Sequence, residues 1–394
     1  MSAASYETTI DEANIYEAPE IVTEVKKYVK TNPAESTAKA KKQLDQMDNV
    51  TLNIAITGES GAGKSTFVNA LRGLADGDEG AADTGVTETT MKPIRYGHPN
   101  MPGVYIWDLP GVGTSNFKAR NYLKDVHFDT FDFFIIIGSI RFKENDIKLA
   151  KEIKKMKKMF YFVRSKIDHD IQAEARKKNF NEAQVLSKIR LSCRENLVEF
   201  GNPKVFLISA LDMGKYDFPR LLSCLKENLS DYKWSALIHS LPVFSTGMIE
   251  KKTEELNKTS IAAAAAAATT AGLAVPGFSV GCEIGIMHKY LQTAHVSFGL
   301  DNNSIQRLAE RVNKSEGDLK SVMKSRFAGG VNRAVVANML RTKGMMAAKA
   351  VEIILIGVPA IAMGVAFATT LQLLRQGIRE MAEDAKAVLA AADL

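Results

Sequence analysis

The stretch Gly58-Glu59-Ser60-Gly61-Ala62-Gly63-Lys64-Ser65-Thr66 decides how this chain is read. It follows the apolar run Leu52–Thr57 and opens Ser65–Leu74, whose pattern predicts a helix. Strand, loop and helix in that order, with the spacing G-x-x-x-x-G-K-[ST], describe a phosphate-binding loop. Small residues let consecutive backbone N–H groups wrap a β-phosphate, and the helix that follows favours an anion at its N-terminus. Lys64 is placed to meet the β- and γ-phosphates and the Ser65 hydroxyl to hold Mg²⁺. A chance glycine-rich turn would not need a strand before it and a helix after it.

Working outward, each further signal lies at the end of a β-run. Asp108-Leu109-Pro110-Gly111 ends the run Val104–Trp107. There Asp108 suits a water-mediated hold on the metal, and the Gly111 N–H suits sensing of a γ-phosphate. Ser165-Lys166-Ile167-Asp168 ends the run Phe160–Arg164 and resembles the [N/T]-K-x-D guanine reader. One carboxylate can accept from both N1–H and the 2-amino group of guanine, whereas adenine would leave Asp168 facing a lone pair. The Lys166 stem can cover the base. Ser165 departs from the usual Asn or Thr, keeping a hydroxyl for one local hydrogen bond. Ser209-Ala210, after Val205–Ile208, resembles the loop whose backbone touches the guanine carbonyl. Between phosphate loop and second strand lies Thr84-Gly85-Val86-Thr87-Glu88-Thr89-Thr90; Thr84 and Thr90 are the leading candidates to close on Mg²⁺ and the γ-phosphate. Val112 stands where Ras-like enzymes carry a water-orienting glutamine, so slow hydrolysis by the isolated molecule is expected, with help from a second molecule.

The 394 residues, 46% hydrophobic and 24% charged, suit two or three packed units and exclude wholesale disorder, a collagen-like repeat and a disulfide scaffold. Three cysteines, Cys193, Cys224 and Cys282, predict reduced, buried thiols in a cytosolic protein. A net charge of +6 is mild for this length. Residues 1–49 read as a polar helical segment, with helices around Ala18–Lys30 and Ser36–Met47. Residues 50–230 alternate strands (Leu52–Thr57, Pro93–Tyr96, Val104–Trp107, Phe131–Ile137, Phe160–Arg164, Val205–Ile208) with helices (Ser65–Leu74, Asp146–Lys158, Gln184–Phe200, Phe218–Leu229). That rhythm predicts an α/β fold: a Ras-like P-loop GTPase domain with a mostly parallel six-stranded sheet. Residues 231–394 read as helical, so an all-α domain built from N- and C-terminal segments is expected beside it.

Beyond these motifs the chain resembles the interferon-inducible immunity-related GTPases. The resemblance rests on Thr84–Met91, Ile106–Gly113, Thr114–Phe117, Arg141–Asp146, Phe160–Asp168 and Tyr216–Leu221, with Ile249–Lys252 and Phe298–Glu310 in the helical part. It runs from about residue 20 to the C-terminus. Lys64 is similar to the effector-type branch, which carries lysine there, rather than to the regulatory branch with methionine. The resemblance implies binding of GTP and GDP with Mg²⁺, GTP-dependent self-association through the nucleotide face, and accumulation on intracellular and pathogen-vacuole membranes in cell-autonomous immunity. It places Glu88 where the family meets the ribose of the opposing subunit, with Arg141, Lys143 and Asp146 near that face. Arg141 is a candidate for charge stabilisation and equally an ordinary exposed arginine at a helix start.

The N-terminus shows no secretory signal, and Ser2 takes the place of the glycine that myristoylation needs. The expected location is therefore cytoplasmic, with peripheral membrane association through the helical part. Thr259–Cys282 and Ile353–Leu374 are long enough to span a bilayer, but their Ala, Gly, Thr and Pro content favours two closely packed buried helices. Lys143–Lys158 carries seven lysines, a run that suits an anionic membrane or RNA and more often is a solvated helix face. No nucleic-acid partner and no structural metal site are expected. Three functions are thus weighed: a GTPase accelerated by assembly; a GTP/GDP-binding switch or scaffold with negligible hydrolysis; and an integral-membrane GTPase.

Overall fold

The computed structural model describes residues 23–24, 27, 33–85, 92–112, 118–200, 203–268, 278–341 and 359–394. The chain divides into two compact units, 1–49 with 245–394, and 50–244. The α/β unit thus runs past Ser230, where the composition shift had suggested its end. The reason is the helix Asp231–Ser240, which packs on strands of the sheet and buries Trp234, Leu237 and Ile238.

The helical unit begins with α1 (Pro33–Asp48). The α/β unit then supplies β1 (Leu52–Gly58), α2 (Lys64–Leu71), β2 (Ile94–Gly97), β3 (Val104–Asp108), α3 (Ala119–Asp125), β4 (Phe133–Gly138), α4 (Glu144–Lys155), β5 (Met159–Arg164), α5 (Ile167–Glu174), α6 (Glu182–Asn196), β6 (Val205–Leu207), α7 (Phe218–Asn228) and α8 (Asp231–Ser240). The sheet has six strands in the order β2-β3-β1-β4-β5-β6. Every neighbouring pair is parallel except β2 with β3. Such strands are covered on both faces, which is why Phe133-Phe134-Ile135-Ile136-Ile137 is a continuous buried apolar run rather than an alternating one.

Local chemistry sets the ends of the elements. Asp132 stops β4 short of the expected Phe131: its Oδ2 accepts the Asn53 N–H at 2.8 Å, beside the 3₁₀ turn Phe128–Thr130. The Asn181 side chain caps α6 by accepting the Gln184 N–H at 3.0 Å. That helix ends at Asn196 rather than running to Phe200, because Val198–Phe200 tightens into a 3₁₀ turn. Cys193 is buried and free, its thiol pushed up to about 11 by burial, whereas Cys224 is only partly buried, contrary to expectation.

The helical unit continues with α9 (Thr246–Ala268), α10 (Phe278–Ser297), α11 (Asn302–Val312), α12 (Glu316–Ser321) and α13 (Pro359–Ala391). The alanine run Ala262–Ala268 is buried in α9, which packs along α13 and against α1 and α10. Small side chains allow such close approach of helix backbones. No helix among the described residues is long and apolar enough to cross a membrane.

Candidate nucleotide site

At the C-terminal end of the parallel sheet the chain turns from β1 into α2. Gly58, Gly61 and Gly63 take φ of +134°, +73° and +88°, the region that favours glycine. Gly58 has no alternative, since a Cβ there would lie 2.1 Å from the Ile137 carbonyl oxygen. Glu59 is partly buried, Ser60 is exposed and Ala62 is buried, while Thr66 donates to Asp76 Oδ2 at 3.3 Å. Lys64 is buried, and its Nζ donates to the Glu59 carbonyl at 3.0 Å, so the ammonium lies across the loop.

Parallel register brings the second motif to the same place: β1 and β3 pair Ile56 with Asp108. The Ser65 Oγ donates to Asp108 Oδ2 at 2.6 Å. The Leu109 N–H donates to Ile56 and the Val112 N–H to Gly58, stitching the segment through Gly111 to the loop. Val112 itself is fully buried, its side chain in the apolar core of the unit.

The third motif leaves β5. Ser165 is buried, and its Oγ donates to the Ala62 carbonyl at 2.6 Å, tying this loop to the phosphate loop across 103 residues. Lys166 has φ of +56°, and its Cε would lie 3.7 Å from a Cβ on Gly63, so its stem runs beside the loop. Asp168 is partly buried in the first turn of α5. From β6, the Ser209 Oγ accepts the N–H groups of Leu211 at 3.2 Å and Asp212 at 3.3 Å, shaping the turn that holds Ala210. The structure therefore gathers Gly58–Thr66, Asp108, Gly111, Ser165, Lys166, Asp168, Ser209 and Ala210 at one end of the sheet. Thr84 is exposed; Glu88 and Thr90 lie outside the described residues. Arg141 is exposed just before α4.

Several residues that frame this site carry no motif. The buried Tyr122 hydroxyl lies 3.0 Å from Thr57 Oγ1 and donates to the Pro110 carbonyl at 2.9 Å, with burial raising its pKa. Asn145 Nδ2 donates to the Val112 carbonyl at 2.6 Å. Lys143 pairs with Glu59 at 2.6 Å. Asp146 is fully buried; its Oδ2 accepts the Lys143 N–H at 3.0 Å, and Oδ1 has no hydrogen-bond partner. Burial first, and Glu59 after it, raise this carboxyl to about 6, against the lowering effects of the Lys143 N–H and the two nearby ammonium groups. Arg164 ends β5 buried, donating to Ile140 at 3.0 Å and pairing with Asp170 at 2.5 Å. Lys143, Asn145 and Asp146 lie in the stretch Arg141–Asp146 that carries the family resemblance, and Arg164 shows as a cation closing an apolar run with an acid six positions on, whereas Tyr122 left no trace.

These groups fit a magnesium-bound nucleotide. Ser65 and Asp108 bring a hydroxyl and a carboxylate, hard oxygen ligands, to one point beside a loop whose Gly58, Gly61 and Gly63 hold positive φ. The model described as "Interferon-inducible GTPase (IIGP)" matches residues 18–392. The chain is 38% identical over 362 residues to "Interferon-inducible GTPase 5" of Rattus norvegicus, covering 90% of this chain and 78% of that protein. It is 41% identical over 286 residues to "Interferon-inducible GTPase 1" of Mus musculus, covering 72% of this chain and 69% of that one. Among solved structures, Toc33 from Arabidopsis thaliana in complex with GDP and Mg²⁺ overlaps 45% of this chain and 78% of its own, at 16% identity and a TM-score of 0.31. Because the family match runs through both units and not through the phosphate loop alone, this chain belongs to the interferon-inducible GTPases, enzymes that act on GTP.

Proposed function

We propose that this GTPase hydrolyses GTP slowly alone and faster when two nucleotide faces meet, and that it acts at intracellular or pathogen-vacuole membranes in cell-autonomous immunity. The observation that carries the assembly step is Val112, which is buried in the core where a water-orienting side chain would have to face the nucleotide. A buried isopropyl group neither holds nor orients water, so that help comes from elsewhere, in this proposal from a second molecule that closes over the nucleotide.

In this reading the N–H groups of Gly58–Ser65 and the Lys64 ammonium bind the phosphates, and Ser65 with Asp108 holds the metal. Bound Mg²⁺ supplies charge neutralisation on the phosphate oxygens. The Gly111 N–H and one of Thr84 and Thr90 close on the γ-phosphate. Asp168 reads the base while Lys166 covers it, and the Ser209–Ala210 backbone meets the guanine carbonyl. Glu88 and Arg141 belong to the face that a second molecule would approach. The immunity part of the proposal is supported by the interferon-linked names of the relatives, and the membrane part by the mild positive charge of +6.

Phosphate release per molecule, followed over a wide range of protein concentration, tests the proposal. It should rise with concentration and level off. A constant turnover would contradict activation by assembly, and no release at any concentration would favour the switch or scaffold, for which the buried Val112 also speaks.

A further inference from the structure

A groove of about 670 Å³ lies between the start of α3 and one face of α4, and none of the residues assigned to GTP lines it. Five cations line it: Lys118 and Arg120 on one wall, Lys148, Lys151 and Lys155 on the other. Glu152 is the single carboxylate in the lining, and the floor is apolar, from Ala119 and Met156. The volume falls within the roughly 300–1,000 Å³ range of small-molecule sites.

The spacing of the cations follows from the helix. Positions 148, 151 and 155 fall on one face of α4 and extend over about 10 Å of its axis. Lys148 is paired with Glu144 at 2.7 Å, Lys155 with Glu152 at 2.5 Å, and Lys151 with Glu199. Each of these lysines is about half exposed or more. Exposed pairs of this kind are worth little, so the lysines can exchange a carboxylate for a more highly charged anion at small cost. One phosphate would engage one end of such a row. An anion carrying several phosphates on a compact ring would meet both walls and lay the ring on the apolar floor.

We propose that this groove is a second anion site, which binds a polyphosphorylated ring such as an inositol polyphosphate, free or as a lipid headgroup. Both walls are tied to the nucleotide site. On α3, Tyr122 bonds the Pro110 carbonyl; at the start of α4, Asn145 bonds the Val112 carbonyl and Lys143 pairs with Glu59. A ligand that bridges α3 and α4 is therefore coupled to GTP, and by linkage each alters the affinity of the other by the same factor. This coupling rests on the GTP reading above; binding to the groove does not.

The test is calorimetric titration of the full chain, without nucleotide, with inositol trisphosphate. Alongside it runs co-sedimentation with phosphatidylcholine vesicles carrying phosphatidylinositol bisphosphate, against phosphatidylserine vesicles of matched charge. Saturable binding of the soluble probe, or selective binding to the phosphoinositide vesicles, supports the site and tells the free source from the lipid one. Arg120→Gln with Lys151→Gln, and separately Lys148→Gln with Lys155→Gln, should each weaken binding about tenfold or more, consistent with loss of charge-assisted contacts. Both pairs should leave thermal unfolding and GTP affinity in ligand-free buffer unchanged. The proposal is overturned if neither probe binds, if both double variants bind like the wild type, or if sulfate or an RNA oligomer at equal charge displaces the probe equally well.

Discussion

At the scale of single residues, the site is held by groups whose ordinary chemistry has been shifted by burial. Asp146 illustrates this. Its carboxyl, raised from 3.8 to about 6, holds a proton more tightly folded than unfolded. Such a group favours the folded state most below its unfolded value, and that contribution disappears as pH rises through about 6. Asn at this position keeps an oxygen for the Lys143 N–H and has no charge to bury. Relative to Asp146→Asn, the wild type should therefore lose stability between about pH 4 and 6, by on the order of 2–3 kcal/mol. Urea midpoints of the two proteins at pH 4.5 and 7.5 would show it; parallel profiles would mean that Asp146 is solvated. Residue chemistry of this kind was not legible beforehand. Asn145 and Asp146 lie in the stretch Arg141–Asp146 that carries the family resemblance, yet nothing in that stretch announces their bonds, and Asn145 and Tyr122 reach partners 33 and 65 positions away that only the fold brings near.

At the scale of elements, the motif-bearing loops could be read because parallel strands deliver their C-terminal ends to one edge of the sheet. A glycine loop after β1, Asp108 at the end of β3 and Asp168 after β5 thus had to meet once those runs were recognised as strands. What spacing could not reveal is how the loops are fastened together. The Ser165 hydroxyl, at the position where the guanine-reading pattern departs from Asn or Thr, bonds the Ala62 carbonyl and couples base recognition to the phosphate loop. Ser165→Ala should cost about 1 kcal/mol of stability and weaken GDP affinity several-fold, seen in a fluorescent-GDP titration. Unchanged affinity would show that the loops are held independently of this bond. The ends of elements were misjudged where a single polar group overrides an apolar run, as Asp132 does before β4. The same holds for the 3₁₀ turn at Val198–Phe200 that shortens α6.

At the scale of the whole molecule, the mixed organisation was legible from composition: an α/β rhythm flanked by helical stretches. The domain limit was not, since α8 looks like the rest of the helical chain yet packs on the sheet. The helical unit also keeps an ionisable amine in its core. Lys252 is fully buried on α9, donating to Ser297 Oγ at 3.4 Å, and burial lowers its ammonium from 10.5 to about 7. A lysine depressed in this way costs stability while it is protonated in the unfolded chain, and that cost shrinks as pH rises from about 7 toward 10.5. The wild type should accordingly gain on Lys252→Met between pH 7 and pH 9.5 in urea unfolding. A constant difference between the two proteins would mean that the amine keeps its ordinary affinity for protons.

The central claim, a pocket that grips phosphates and selects guanine through Asp168, is tested most directly by isothermal titration of the full chain with GDP and ADP in Mg²⁺, beside Asp168→Asn. The account predicts that GDP binds more tightly than ADP by a factor of about 100 or more, and that the substitution erases most of that margin. Equal affinity for the two nucleotides, or a preference that survives the loss of the carboxylate, would contradict it.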